Sequence, residues 1–495
     1  MSLLKHPALK KTAEVLIVAV SLIPLLFINL RSTHDWGDDF AQYLHQAQNI
    51  KAGISQNNTG YIFNENCFTG PVAYPAGFPL LLTPVVSAIG TDFVILNQYI
   101  SVFLILTGVT LFLIFRFYVS FLPASLMAII FAYNPSLIHF KAQILSDLPF
   151  TFFSVLCILF IHLKQRYWLD VLLGLLIGFT IQVRSVGVIL PITYLIYQLF
   201  VVNKIRQFSY RQQTHTVVTL LSLALCYFAI SLLYRCNSNY PVFLGAERFW
   251  QNFNDHFSYN LHHFSMIFRG YITPDYFSIG VLAASCMVAF IVPGFLYFRR
   301  KHPSSFLLLY PPFFLLAVVF YKYSHAGIRL IIPVMPFYFL YAAIGFKETM
   351  LTFTKRMKLL AAVAGALVLY GYYDEIQRIE INKDTIQEGP QQEASKDIFN
   401  YINKNLPENT IVVFDKPRAL CLYSTVRSFN FYPAASKEEM NSDIKRLKAR
   451  YILTHQTETS DNIKRMVTLD TLMYQPVYSN PLFNLYKIRK PGSSM

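Results

Sequence analysis

The sequence predicts a mostly α-helical polytopic membrane protein followed by a small soluble α/β domain. Three observations carry this. Apolar stretches of membrane-spanning length recur along residues 13–373. Only 14% of the 495 residues are charged, against about a quarter in soluble globular proteins. From Asp374 onward the composition turns charged and soluble.

The apolar stretches number roughly eleven by the length a bilayer demands. They are Ala13–Leu30, Phe93–Phe115, Pro123–Phe140, Leu148–Leu163, Trp168–Val183, Val186–Val202, Val217–Tyr234, Tyr276–Phe298, Phe306–Tyr321, Leu330–Phe346 and Leu359–Tyr373. The first has Lys5, Lys10 and Lys11 before it and no small-residue cleavage site, the pattern of an uncleaved signal anchor. Mean hydropathy is +0.40. The 44 Phe and 32 Tyr suit a membrane and its interfaces.

The net charge of +15 does not point to nucleic acid. The first 373 residues hold 25 Lys and Arg against 12 Asp and Glu, so the excess sits between apolar stretches. With the N-terminus inside, 16 basic residues fall on inner loops and nine on outer ones. This satisfies the positive-inside rule and puts the domain 374–495 on the outer, periplasmic face of a membrane, expected to be a bacterial inner membrane. Phe78–Ile89 is apolar but short and Pro-flanked, and counting it as a span would reverse every later loop. It is read as a re-entrant or interfacial segment. The six cysteines have no CxxC and no ligand-like spacing with His, so neither a metal site nor a disulfide framework is expected.

Nine of the 12 acidic residues before position 374 lie on the outer face, and carboxylates near a membrane are costly unless they function. Asp38 and Asp39 precede a helical pattern in which Phe40, Tyr43, Leu44, Ala47 and Ile50 share one face. This reads as an amphipathic helix along the interface, with the acidic pair either capping it or doing chemistry. Asp147, in Ser146-Asp147-Leu148-Pro149, is equally a helix start or a functional carboxylate. Arg184 and Arg329 stand at outer span ends, where guanidinium either snorkels to headgroups or clamps a phosphorylated lipid.

Taken together these pieces resemble the GT-C superfamily of integral membrane glycosyltransferases, in the branch of protein O-mannosyltransferases and the lipid A aminoarabinose transferase. The resemblance rests on Asp38-Asp39-Phe40-Ala41-Gln42-Tyr43 with Ala47 after it, and on Tyr74-Pro75-Ala76-Gly77-Phe78-Pro79. It also rests on Ser146-Asp147-Leu148-Pro149-Phe150, Arg184-Ser185, and Arg329 with Pro333 and Pro336. It covers essentially residues 13–373. It implies inverting transfer of a sugar from a polyprenyl-phosphate donor to a hydroxyl on a protein, lipid or glycan acceptor, at the outer face. Register selects Asp39 as general base, with Asp38 a competitor because the acidic pair is shifted by one. Asp147, Arg184, Arg329, Tyr43 and Tyr74 are then expected at the substrate. Lys141, Lys322 or His325 would supply the charge that the aminoarabinose transferase places in its Pro-rich segment. No cofactor is expected: Mg²⁺ or Mn²⁺ between the carboxylates is conceivable chemistry, but the nearest branch works without it.

In the C-terminal domain, helices are expected at Glu393–Asn405 and Ser436–Ala449. Strands are expected at Thr410–Phe414, Arg450–Thr454, Leu472–Val477 and Leu482–Ile488, giving an α/β sandwich. A role in acceptor recognition or as a lid is expected of it. Two rival functions fit less well. A transporter or flippase would show paired broken spans in two halves, and an O-antigen polymerase or ligase would carry its large outer loop in the second half of the chain.

Overall fold

The computed structural model describes residues 7–67, 70–163, 166–202, 210–236, 250, 277–320, 328–352, 354–385 and 388–489. It divides into two compact units. One comprises Met1–Leu30, Val94–Ile230 and Pro241–Lys383; the other comprises Arg31–Phe93, Ser231–Tyr240 and Asp384–Met495.

The first unit is helical. Its helices include α1 (Pro7–Leu22), most of α4 (Phe93–Phe115), α5 (Phe121–Ala132), α6 (Pro135–Lys141), α7 (Asp147–His162), α8 (Tyr167–Val183) and α9 (Ile189–Ile196). After these come α10 (Tyr210–Leu233), α11 (Phe277–Lys301), α12 (Tyr310–Val319), α13 (Met335–Thr352) and α14 (Lys355–Ile381). Each expected apolar stretch is helical over most of its length. Far fewer are long and apolar enough to cross a bilayer alone. Among the described residues these are Phe93–Phe115, Ser185–Val202 and Tyr210–Leu233. Asp147–His162 and Tyr167–Val183 are shorter apolar helices. The chain is an integral membrane protein, and eleven counts its apolar stretches rather than helices of full spanning length.

One expected span is broken. Pro123–Phe140 is two helices, α5 and α6, bent by 52°. The cause is local: the Asn134 side chain accepts a hydrogen bond from the Ser136 N–H at 3.0 Å, and Pro135 occupies the first helical position. An Asn cap followed by Pro starts a new helix. Elsewhere close packing depends on small residues. Gly174 and Gly178 of α8 lie against α10, where a Cβ at Gly174 would sit 2.2 Å from the Thr219 carbonyl. Two glycines four apart let helices approach in this way inside a membrane.

The second unit holds α2 (Asp38–Lys51), α3 (Gly77–Ile89) and a five-stranded sheet with its helices. At 13 residues, α3 is about 20 Å long, too short for a hydrocarbon core of about 30 Å. Phe78, Leu82 and Val86 are buried at i, i+4, i+8 spacing, one stripe along the helix.

The strands are β1 (Ile411–Val413), β2 (Arg427–Phe429), β3 (Tyr451–His455), β4 (Tyr474–Ser479) and β5 (Phe483–Ile488), in the order β2-β1-β3-β5-β4. β2, β1 and β3 run parallel; β5 is antiparallel to β3 and β4. The helices between them are α16 (Pro417–Tyr423), α17 (Lys437–Leu447) and α18 (Asp461–Leu469), preceded by α15 (Glu393–Asn405). Val413, Phe429, Met440, Ile452 and Met466 form part of their shared core. The expected helix from Ser436 begins with a capping box between Ser436 and Glu439. The elements α16, β2 and α18 have no counterpart in the sequence reading.

The composition shift at 374 is not where the units divide, because α14 continues through Asp374 to Ile381. Residues 31–93, assigned by sequence to the membrane module, group with the C-terminal segment. Hydrogen bonds explain this. The Ile62 N–H donates to the Ser428 carbonyl at 2.8 Å, and the Ser428 N–H donates to the Gly60 carbonyl at 3.2 Å. Asn64 and Asn66 each donate to the Asp443 carboxylate at 2.8 Å. The first loop thus extends the edge of the sheet.

Candidate active site

The first constellation starts at the N-terminus of α2. Gly37 is its N-cap and no side chain caps it, so Asp38 and Asp39 do not cap the helix they begin. Both sit in its first turn, where the helix dipole favours negative charge. Phe40, Tyr43, Leu44 and Ala47 are buried as their spacing predicts, while Ile50 of the same face is half-buried. Gln42, Gln46 and Asn49 are buried too, so α2 is enclosed on both faces rather than lying along an interface. The polar face positions the loop that follows. Gln46 donates to the Tyr74 carbonyl at 2.8 Å and accepts from the Tyr74 N–H at 3.0 Å.

So held, Tyr74 stacks on Tyr43 at 4.6 Å between ring centroids, and its hydroxyl donates to Asp39 Oδ1 at 2.5 Å. Burial, aided by Asp39 beside it, outweighs Arg418 and raises the phenol well above its usual value. It therefore stays protonated and stays a donor.

The two carboxylates have different partners. Asp38 Oδ1 accepts from the backbone N–H groups of Arg418 at 3.1 Å and Ala419 at 3.0 Å, at the start of α16. Asp38 caps a helix, but one 380 positions away. Burial pushes its carboxyl up to about 6 against the opposing pull of Arg418, the Ala419 N–H and Lys416. Asp39 instead meets the Arg418 guanidinium, whose Nη1 lies 3.1 Å from Oδ1. The Asp39 side chain is 28% exposed against 10% for Asp38, which leaves Asp39 the more accessible carboxylate.

Arg418 is the functional candidate that sequence reasoning missed. Its side chain is wholly buried. Nη1 also donates to the Tyr74 hydroxyl at 3.0 Å, and Nη2 to the Pro71 carbonyl at 2.8 Å. Its guanidinium carbon lies 5.0 Å from the Tyr61 ring and 5.1 Å from the Tyr74 ring, within cation–π range. Gly70 makes room: its φ is +146°, and a Cβ there would fall 2.2 Å from Nη2. Burial opposes the charge on Arg418, but Tyr74, Asp38 and Asp39 outweigh it and raise its pKa.

The second constellation belongs to the first unit. Asp147 opens α7, and Ser146 before it makes no side-chain cap. The Asp147 side chain is 2% exposed and accepts from two arginines. Arg184 Nη1 donates to Oδ1; Arg329 donates to Oδ2 through Nε at 3.2 Å and Nη2 at 3.0 Å. Arg184 ends α8 in extended backbone and Arg329 follows Ile328 in a short turn. The sequence placed these three residues on one membrane side, and the structure brings them together. One carboxylate is thus shared by two guanidinium groups, and both arginines remain partly exposed.

No protein-family model and no curated protein matches the chain. Solved structures do. The oligosaccharyltransferase of Archaeoglobus fulgidus, tethered to an acceptor peptide containing the NVT sequon, is similar with TM-score 0.57 over 99% of this chain and 75% of that one, at 12% identity. ArnT of Cupriavidus metallidurans bound to undecaprenyl phosphate is similar with TM-score 0.56 over 96% of this chain and 98% of that one, at 13% identity. The chain shares the fold of these two proteins. The archaeal enzyme in complex with an inhibitory peptide and a dolichol-phosphate gives TM-score 0.56 over 90% of this chain and 69% of that one, at 13% identity.

On this shared fold the remaining expected residues fall as follows. Tyr43 is buried, stacked on Tyr74 and edge-on to Phe78. Lys141 ends α6 fully enclosed, with Nζ donating to Ser101 Oγ at 3.1 Å. Lys322 and His325 lie outside the described residues. Among the described residues, no group of three His, Cys, Asp or Glu could hold a metal ion.

Proposed function

We propose that this protein is a glycosyltransferase that moves a sugar from a polyprenyl-phosphate donor to an acceptor hydroxyl on the outer face of the membrane. The reading gives Asp39 the role of general base. Its proton acceptor is the more accessible of two adjacent carboxylates, the other being committed to backbone N–H groups. That difference carries the assignment.

The step balances simply. The acceptor hydroxyl gives its proton to Asp39 as its oxygen bonds to the anomeric carbon. The bond from that carbon to the phosphate oxygen breaks from the opposite face, inverting the centre, and polyprenyl phosphate departs with the electron pair. General-base assistance of this kind contributes roughly 10²–10⁴-fold. In the first unit, Arg184 and Arg329 are the groups proposed to receive the phosphate, both held in place by Asp147. Preorganised cations aimed at developing charge lower the barrier without reorganising in the step. Lys141, fully enclosed, has no contact with substrate in this scheme. The solved structures of similar fold carry undecaprenyl phosphate and dolichol-phosphate, which supports a lipid phosphate as the carrier. The membrane is taken to be a bacterial inner membrane, with Asp39 acting on its periplasmic side.

Binding of undecaprenyl phosphate by the detergent-purified protein, measured by native mass spectrometry, tests the phosphate half. Arg184→Gln and Arg329→Gln should each weaken it at least about tenfold, the loss of one charged hydrogen bond. Unchanged binding in both would remove the arginines from the scheme.

A further inference from the structure

We propose that Arg418 is a positioning residue for Asp39, so that the C-terminal α/β segment forms part of the catalytic apparatus. The inference rests on the transferase reading and adds a residue that reading does not need.

Geometry carries it. The fork of Arg418 is used in two directions, Nη1 towards Asp39 and Tyr74 and Nη2 towards the Pro71 carbonyl. Two tyrosine rings flank the guanidinium, and Gly70 leaves no side chain in its way. Together these contacts hold the guanidinium against Asp39 Oδ1, the oxygen that also accepts from the Tyr74 hydroxyl. The same residue's backbone N–H, with that of Ala419, anchors Asp38. One helix start therefore fixes both acids in different ways.

The consequence is electrostatic. A base must be ionised before it can accept the acceptor's proton. Two adjacent carboxylates in a partly buried site tend to share a proton, because like charges disfavour joint ionisation. Arg418 opposes that sharing. Among the described residues, the charged and titratable groups at the site include Asp38, Tyr74 and Arg418 around Asp39, with Lys416, Tyr61 and Cys421 beside them. Tyr43 stacks on Tyr74 from α2.

The test compares the full chain in lipid nanodiscs with Arg418→Met and Arg418→Lys. The first readout needs no substrate: pH-difference infrared spectroscopy of the carboxyl C=O stretch, with Asp39→Asn identifying the Asp39 band. The second is the pH profile of lipid-phosphate release from undecaprenyl-phosphate-linked glucose, galactose, mannose and aminoarabinose. Arg418→Met should raise both the Asp39 midpoint and the acid limb of the profile by one pH unit or more. Arg418→Lys, which keeps the charge and loses the fork, should shift both less and lower kcat with KM little changed. Should Arg418→Met fail to fold by thermal melting, the lysine variant carries the same test. Wild-type release with both features unmoved in the folded variants overturns the role of Arg418 alone. No release by wild type from any donor overturns the transferase reading, and this inference with it.

Discussion

Arg418 and Asp39 lie 379 positions apart in the chain and meet in an ion pair of 3.1 Å, with the arginine wholly buried. The carboxylate begins the helix after the first apolar stretch, and the arginine belongs to a seven-residue helix in the C-terminal segment. Pairing them makes the first loop and the C-terminal sheet one compact unit, and the predictions below follow from that union.

Gly70→Ala tests how tightly the guanidinium is enclosed. The new methyl would fall 2.2 Å from Nη2 at a φ of +146°, so backbone strain and a side-chain clash coincide. We expect roughly 2–4 kcal/mol of destabilisation, read as a lower midpoint in thermal unfolding, with reduced turnover in whatever folds. A melting curve like wild type would show that the enclosure is loose.

Asp38→Asn tests the capping role through pH. Burial lifts the folded carboxyl to about 6 from an ordinary 3.8. Between about pH 4 and pH 6 the folded chain therefore keeps a proton that the unfolded chain releases. Stability from this group is greatest at the acid end and falls as pH rises through that window, by roughly 2–3 kcal/mol in all. Asparagine keeps an oxygen for the Arg418 and Ala419 N–H groups but does not titrate. The variant should melt with a flatter dependence over that range, and an unchanged slope would contradict the assignment.

Asp147→Ala should be the most destabilising change in the first unit. It leaves two guanidinium groups without their shared carboxylate, and breaking a buried pair in this way costs roughly 3–5 kcal/mol; partial exposure of both arginines argues for the lower end. Adding Arg329→Met to Asp147→Ala should recover part of the loss. Strict additivity in the double variant, measured by thermal unfolding, would mean that the two side chains are not coupled.

The second constellation was more legible in the sequence than the first. Charge asymmetry placed Asp147, Arg184 and Arg329 on one membrane side, each at the end of an apolar run, and residues confined to span ends on one face have few partners to choose among. The acidic pair was visible as well, but not its counter-charge. Arg418 lies in Pro417–Tyr423, a helix too short for periodicity to reveal, and nothing local in a soluble stretch marks one arginine among several. The bend at Asn134-Pro135 did have a local signal, an Asn cap before Pro, which the apolar run around it obscured. The C-terminal strands were found because Ile411–Val413 and Phe483–Ile488 are rich in β-branched or aromatic residues. β2, only Arg427–Phe429, is too short to show alternation.

Lipid-phosphate release by purified wild type, Asp39→Asn and Asp38→Asn, from radiolabelled undecaprenyl-phosphate sugars with a hydroxyl acceptor, tests the central claim most directly. The account predicts release by wild type, a loss of roughly 10²–10⁴-fold in Asp39→Asn, and a much smaller loss in Asp38→Asn. Full activity in Asp39→Asn with loss in Asp38→Asn would contradict it by moving the base to the buried neighbour.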